Sequence, residues 1–192
     1  MIDSKLVMQL REQTGAGVLE AKKALEEAGG DIPKAADYLR KSGALKAAQK
    51  SDRATKEGLV HAYIHGGGKV GVLVEVLCET DFVARNPEFE SLTHDLAMQI
   101  AATNPAYVKP EDVPSALVEK EKAIYGGEVV GKPANIAEKI VAGKLDKWYA
   151  DICLMKQRFI KDENLTMEDV VKSKISKLGE NIQVRRFVRF SL

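Results

Sequence analysis

The sequence has no long apolar run, only two cysteines and almost no excess charge of either sign. No run reaches the roughly 18 consecutive apolar residues of a membrane-spanning helix, and the first residues lack an apolar signal core. We therefore expect no membrane span and a cytoplasmic protein. Cys78 and Cys153 are far apart in sequence and have no histidine pattern beside them, which argues against a disulfide framework or a zinc site. We expect both to be small buried apolar groups.

Charge is abundant but balanced. Lysine and arginine total 29 against 28 acidic residues. This balance disfavours a protein that coats nucleic acid or binds a membrane surface through its overall charge. A partner therefore has to be recognised by a local site. The 192 residues, of which 45% are apolar, are enough for one core or for a core with a small satellite domain.

Helical periodicity recurs three times in residues 5–42. A glycine-containing turn separates the first helix from a second that begins at Val18. Asp31 can cap a third helix, because its carboxylate can accept hydrogen bonds from free amides of the first turn, and Gly43 is predicted to close it. Three helices in so few residues form a small bundle with little buried surface.

Exposed apolar side chains on such a bundle are candidates for partner contact. Val18 and Leu19 are adjacent and diverge by about a hundred degrees, so one can pack inside while the other points outward. The alternative is that both belong to the core. Tyr38 and Leu39 are predicted to face inward.

Residues 44–57 are rich in alanine and lysine and carry only a thin apolar stripe. This composition predicts an exposed helical connector between two domains. Lys46, Lys50 and Arg53 could contact phosphates, but interrupting acids favour a solvated face.

The period then changes from helix to strand. Residues 59–64 form a predicted strand, the glycines at 66–68 supply a hairpin, and alternation over 70–78 predicts a central strand. Leu73 and Leu77 lie on the opposite face from the alternating valines, as expected for a strand covered on both sides.

Two alternative sites in this region are disfavoured. The string GGGK lacks the strand–loop–helix context of a phosphate-binding loop, because Val70 opens a strand. His61 and His65 share a strand face, but no third ligand is in view, which disfavours a metal site.

The stretch CETDFVARNPEF, residues 78–89, links the central strand to a helix that Asn86 caps. Functional side chains collect on surface connections between rigid elements. Phe82 in this connection is either buried beneath the loop or a protruding wedge that enters an apolar slot on a partner, beside the carboxylate of Asp81.

Three segments carry a family resemblance, in order along the chain: LREQTGAGVLEAKKALEEAGGD, VGVLVEVLCETDFVARNPEF and LGENIQVRRFVRF. The sequence resembles bacterial elongation factor Ts, the guanine nucleotide exchange factor of elongation factor Tu, over nearly its whole length. The family's invading motif is present as Thr80, Asp81, Phe82 and Val83.

The resemblance implies an α+β fold in two domains. Residues 1–43 would be a ubiquitin-associated-like three-helix domain that docks on elongation factor Tu through Arg11, Val18 and Leu19. Residues 44–57 would be the connector. Residues 58–192 would form an antiparallel sheet packed with helices, the core and dimerisation region.

The resemblance also implies partners and mechanism. The protein would bind GDP-bound and nucleotide-free elongation factor Tu, and Asp81 and Phe82 would disturb the Mg²⁺ and phosphate site. It would need no cofactor, break no bond, and contact no membrane or nucleic acid directly. Short members of this length are thought to associate as homodimers. The final strand, residues 182–190, has an edge suited to pairing.

Two other functions are weighed against this one. The first is a peptide-binding adaptor, with the helical bundle as the binding module and the second domain as an oligomerising scaffold. It does not explain the acid and aromatic pair at residues 81–82. The second is an RNA-binding protein that uses Arg185, Arg186, Phe187 and Arg189, which the balanced charge disfavours.

Overall fold

The structure is a computed structural model that describes residues 2–192. Within that range there are eight α-helices: α1 (Ser4–Thr14), α2 (Val18–Glu27), α3 (Ile32–Ala48), α4 (Asp81–Ala84), α5 (Pro87–Thr103), α6 (Ser115–Gly127), α7 (Ala134–Ile152) and α8 (Met167–Leu178). The strands are β1 (Glu57–His65), β2 (Val70–Cys78), β3 (Arg158–Phe159), β4 (Asp162–Thr166) and β5 (Gln183–Ser191). The predicted α+β class is confirmed.

The chain forms two compact units, each made of separate segments. The first contains the chain up to Leu59 together with Val76–Leu92 and Asp169–Gln183; the second contains Val60–Glu75, Thr93–Glu168 and Val184–Leu192. The division into domains 1–43, 44–57 and 58–192 stays a prediction.

Helices α1, α2 and α3 form the predicted three-helix bundle in the first unit. Its fully buried core is small: Leu10, Ala21, Ala24, Leu25 and Ala35. The cap at Asp31 is confirmed, since its carboxylate accepts a hydrogen bond from the Lys34 amide at 3.0 Å. Gly15 ends α1 with a φ of 68°, a conformation that costs glycine little.

The predicted end of the third helix at Gly43 is wrong, because α3 continues to Ala48. Gly43 is buried, and a Cβ there would lie 3.7 Å from the Cβ of Ser176 in α8. Glycine inside a helix costs only about 1 kcal/mol relative to alanine, so it weakens a helix without having to end it. The inward placement of Tyr38 is also wrong: its side chain is exposed, whereas Leu39 packs on the core cluster.

Beyond Ala48 the chain is not helical up to β1 but forms turns that are hydrogen-bonded to the segment after α8. The ammonium of Lys50 donates to the carbonyl of Gly179 at 2.6 Å. The side-chain amide of the buried Asn181 donates to the backbone carbonyls of Ser51 and Arg53 at 3.1 and 2.9 Å. These contacts anchor the region that was predicted to be an exposed helical connector.

The main sheet has the order β1-β2-β5, so the central position of β2 is confirmed. The hairpin glycines 66–68 have φ angles of 62°, 66° and 90°. The Leu192 amide donates to the Lys69 carbonyl at 3.0 Å, as expected if β5 runs antiparallel to β2. Coverage of β2 on both faces, however, is wrong: Val72, Val74 and Val76 are buried, but Leu73 is exposed.

The open face of the sheet carries an apolar surface in the second unit, which we call the sheet patch: Val60, Ile64, Leu73, Val188 and Phe190, all exposed. A Cβ at Gly71 would lie 3.3 Å from Ile64, so Gly71 and Ile64 share a face. Alternation puts Leu73 and Glu75 on that face, and Arg186 donates to Glu75 at 2.6 Å, which places β5 residues there too. The patch is thus one continuous surface across three strands.

Both cysteines are fully buried and free, as predicted. Burial raises the pKa of each thiol to about 11. In the part of the chain that the structure describes, we find no helix whose length and apolarity would suit a bilayer crossing.

Helix α5 begins as predicted, with Asn86 accepting a hydrogen bond from the Glu88 amide at 2.9 Å. Its apolar residues at spacings of three and four are fully buried: Phe89, Leu92, Leu96 and Ile100. The Glu88 carboxylate in the first turn pairs with Lys174 and Lys177 of α8. These hydrogen bonds lower the Glu88 pKa from 4.5 to about 2.

We expect Glu88→Gln to remove a pH-dependent part of the stability. Because the carboxylate pKa falls from 4.5 to about 2 on folding, the stabilisation is complete above about 4.5 and is lost as the pH falls towards 2. The side chain is 39% exposed, so the difference at pH 7 should be only about 1 kcal/mol. Urea unfolding of both proteins at several pH values measures it. Glu27→Gln, at an exposed position, is the control; a difference that grows on acidification would contradict the assignment.

Candidate functional site

The residues between β2 and α5 form a single helical turn, α4, and not the predicted loop. Thr80 is its N-cap: the side-chain oxygen accepts a hydrogen bond from the Val83 amide at 3.4 Å. A helix of one turn has few internal hydrogen bonds, so its conformation depends on the elements at its two ends. Here these are the buried end of β2 at Cys78 and the capped start of α5 at Asn86.

Phe82 lies on α4 with 83% of its surface exposed. The alternative in which the ring is buried beneath the connection is therefore wrong. A benzyl group this exposed gains almost nothing for the fold of its own chain, since apolar stabilisation requires removal of surface from water. Its role in binding stays a prediction.

The neighbours of Phe82 differ from it in exposure. Asp81 and Val83 are half-buried, and the Asp81 carboxylate lies 3.1 Å from the guanidinium of Arg85, one turn later. Asp81 therefore presents its charge beside the ring. Thr80, Asp81, Phe82 and Val83 thus form one continuous element with a single protruding side chain.

Glu180, from the segment after α8, holds the start of this element. One carboxylate oxygen accepts hydrogen bonds from the backbone amides of Glu79 and Thr80 at 3.1 and 3.0 Å. The other oxygen accepts from the Thr80 hydroxyl at 2.6 Å. Hydrogen bonds to an ionised acceptor are stronger than neutral ones, so this carboxylate is the main anchor of the α4 N-terminus.

A second set of contacts joins the same two segments. The backbone amide of Asn181 donates to the Glu79 carboxylate at 2.6 Å, and the guanidinium of Arg53 lies 3.6 Å from that carboxylate. Glu79 and Glu180 thus exchange hydrogen bonds with each other's segment. This reciprocal arrangement fixes where β2 ends and α4 begins.

The predicted contact residues of the bundle lie at the turn between α1 and α2. Val18 is 51% exposed and Leu19 is 82% exposed, so the interpretation that both are core is wrong, and neither of them packs inside. The Arg11 side chain is exposed and reaches across the turn to donate to the Ala16 carbonyl at 3.2 Å. The fold therefore places Arg11 beside the start of α2, where Val18 and Leu19 are exposed.

Leu19 also lines a shallow groove of about 300 Å³ in the first unit, together with Tyr38 and Leu39 of α3. The exposed Tyr38 ring thus adds to an apolar surface that begins at Leu19. Sequence reasoning missed Tyr38 because it assigned this ring to the core.

Comparison with known proteins identifies the family. Residues 44–192 match the family model for elongation factor Ts. Elongation factor Ts of Carboxydothermus hydrogenoformans is 54% identical over 100% of this chain and 89% of its own length; that of Moorella thermoacetica is 54% identical over 100% and 96%; that of Thermotoga petrophila is 52% identical over 100% and 96%. The chain belongs to the elongation factor Ts family. It is therefore a member of a family of translation elongation factors.

Sequence reasoning also missed the role of Glu180. The residue stands in the segment LGENI, which contributes to the resemblance to elongation factor Ts, but 100 residues separate it from Thr80. The available signal was a charged side chain between Gly179, which follows the last residue of α8, and the apolar Ile182, which precedes β5. That signal indicates an anchored junction but names no partner.

Proposed function

We propose that this protein is the guanine nucleotide exchange factor of elongation factor Tu. The proposal rests on one observation above all: in a chain of the elongation factor Ts family, the aromatic ring of the Thr-Asp-Phe-Val element is presented to solvent on an anchored turn. An exposed, pre-positioned ring suits insertion into a partner, because little conformational entropy remains to be lost on binding.

In the proposed mechanism Phe82 enters an apolar slot beside the Mg²⁺ site of elongation factor Tu. Mg²⁺ neutralises the phosphates of bound GDP, so displacement of the ion removes much of the nucleotide's binding energy. Burial of an aromatic ring contributes about 1.5–3 kcal/mol. Since about 1.4 kcal/mol corresponds to a factor of ten, this one contact can weaken GDP binding by one to two decades.

Asp81 acts next to the ring in this mechanism. Its carboxylate is paired with Arg85 at an exposed position, where an ion pair is weak and can be exchanged for one with a partner group. Inserted beside the phosphates, a carboxylate competes for cations and for hydrogen-bond donors that hold the nucleotide.

The bundle provides the second contact. Leu19 and Val18 present apolar surface, and the guanidinium of Arg11 lies beside them. Two contacts on one chain raise the effective concentration of each, so docking of the bundle assists insertion of Phe82.

Exchange of this kind needs no bond-breaking group. The factor lowers the affinity of elongation factor Tu for GDP, and GDP lowers its affinity for the factor by the same ratio. Either ligand can therefore displace the other. The protein accelerates exchange, and the cellular ratio of GTP to GDP sets its direction.

The release of a fluorescent GDP analogue from purified elongation factor Tu, with and without this chain, tests the proposal. We expect release to accelerate with factor concentration, and the effect to be largest when Mg²⁺ is abundant. Release that is unchanged at every Mg²⁺ concentration would exclude the exchange function.

We further propose that the chain forms a homodimer through the sheet patch. An apolar surface across three strands is unusual on a monomer, and β1 and β5 are both edge strands of the sheet. A two-fold axis through such a face packs the same apolar surface of two chains together.

We expect Phe190→Asp to shift the dimer to monomer. A carboxylate within an apolar interface loses its hydration without a partner, which should weaken association by at least about a hundredfold. Sedimentation velocity over a range of concentrations measures the oligomeric state, and Val130→Asp, at an exposed valine outside the patch, is the control. A wild-type chain that is monomeric at high concentration would contradict the interface.

A further inference from the structure

The three histidines of the chain lie together in the second unit, although they are spread over residues 61–94 in sequence. His61 and His65 lie on β1, and His94 lies on α5. Nε2 of His61 is 3.3 Å from Nδ1 of His94, with ring centroids 5.4 Å apart and the planes nearly perpendicular. None of these residues has a place in the proposed exchange site or in the sheet patch.

Two imidazole nitrogens at this separation match the edge of a metal coordination tetrahedron. With Zn–N bonds of 2.0–2.1 Å and tetrahedral angles, two ligand nitrogens lie about 3.3–3.4 Å apart. The ring centroids then lie about 5.2 Å apart. Both values agree with the structure to within a few tenths of an ångström, so the two nitrogens can reach one ion that lies beside the line between them, once each ring has turned its lone pair towards that ion.

We propose that His61 and His94 form a chelate for a first-row divalent transition-metal ion, with Zn²⁺ as its simplest occupant. Imidazole nitrogen suits Zn²⁺, Ni²⁺ and Cu²⁺, whereas Mg²⁺ prefers oxygen ligands. The ion bonds to Nε2 of His61 and Nδ1 of His94. Water fills the other coordination positions, since His94 is open to solvent.

His65 is not a ligand in this site. Its Nδ1 pairs with the Tyr63 hydroxyl at 3.0 Å, and the two rings are stacked. The Tyr63 and His94 rings pack nearly perpendicular to each other, with centroids 5.4 Å apart. Tyr63 therefore limits the orientations of the His94 ring and favours the one that faces His61.

The expected consequence is a metal-dependent link between an edge strand and the main helix of the sheet. An ion that binds only the folded chain stabilises it by mass action. At a hundredfold excess over the dissociation constant, the thermal midpoint should rise by about 5–10 °C.

Isothermal titration of ZnCl₂ into the full chain without an affinity tag tests the site. We expect saturable binding of one Zn²⁺ per chain, with no binding of Mg²⁺ at the same concentration. His94→Ala and His61→Ala should each weaken Zn²⁺ binding by at least about tenfold and remove the rise in thermal midpoint. His65→Ala is the matched control, because it removes the third histidine and should leave both results unchanged.

A spectroscopic measurement separates a metal site from a change in folding. Bound Cu²⁺ should show hyperfine coupling to two imidazole nitrogens in the wild type and to one in His94→Ala. Both thiols are buried, so they do not contribute to binding by the folded chain. Absence of saturable Zn²⁺ binding, or equal loss of binding in His65→Ala, would show that the pair is only a hydrogen bond between two side chains.

Discussion

Phe82→Ala is expected to slow the release of GDP from elongation factor Tu by at least about tenfold at saturating factor. The substitution removes the ring that the proposed mechanism buries in the partner, which is a loss of about 1.5–3 kcal/mol. If that contact forms only on the way to nucleotide release, the whole amount appears in the rate. Stopped-flow release of a fluorescent GDP analogue, with the factor concentration varied, separates a weaker complex from a slower one.

The same substitution should leave the free energy of unfolding within about 0.5 kcal/mol of the wild type, because the ring is 83% exposed. Val130→Ala is the matched control, since Val130 is 84% exposed and lies outside α4. It should leave both unfolding and exchange unchanged. A Phe82→Ala protein that is destabilised but fully active would mean that the ring supports the fold and not the partner.

Glu180→Ala is expected to reduce both stability and exchange. The truncation leaves the amides of Glu79 and Thr80 and the Thr80 hydroxyl without their common acceptor. Unpaired half-buried donors should lower the free energy of unfolding by about 2–4 kcal/mol. Exchange should slow because α4 no longer holds Phe82 in one position, so more entropy is lost on insertion. Urea unfolding and the GDP-release assay measure the two effects.

A double substitution distinguishes positioning from an independent contact. If Glu180 acts only by holding α4, Glu180→Ala should add almost nothing to the exchange defect of Phe82→Ala, although both changes together remain destabilising. Glu180→Gln, which keeps one acceptor oxygen, should recover part of both properties. Additive exchange defects would show instead that Glu180 contacts elongation factor Tu directly.

Local features of the fold were predictable because local sequence causes them. The caps at Asp31 and Asn86 use side chains that reach amides two or three residues away. The buried stripe of α5 follows from its spacing of three and four. In each case the chemistry that sets the structure lies within one or two turns of the chain.

The wrong predictions concern residues whose environment comes from distant segments. Gly43 was expected to end a helix, but it is buried inside α3, beside Ser176 of α8. Leu73 was expected to be covered, but no periodicity can show that the outer face of β2 stays open. Tyr38 was expected to face inward, but only its neighbour Leu39 packs on the core cluster of the bundle.

The amino-acid sequence by itself determined the family, the α+β class, the helices of the bundle, helix α5, the strands of the main sheet and the identity of the Thr80–Val83 element. Only the tertiary structure decided that Phe82 is exposed, that Glu180 anchors it across 100 residues, and that His61 meets His94. The physical reason is the range of the interactions. Helix caps and hydrophobic periodicity act between near neighbours, whereas exposure and long-range pairing depend on how the whole chain packs.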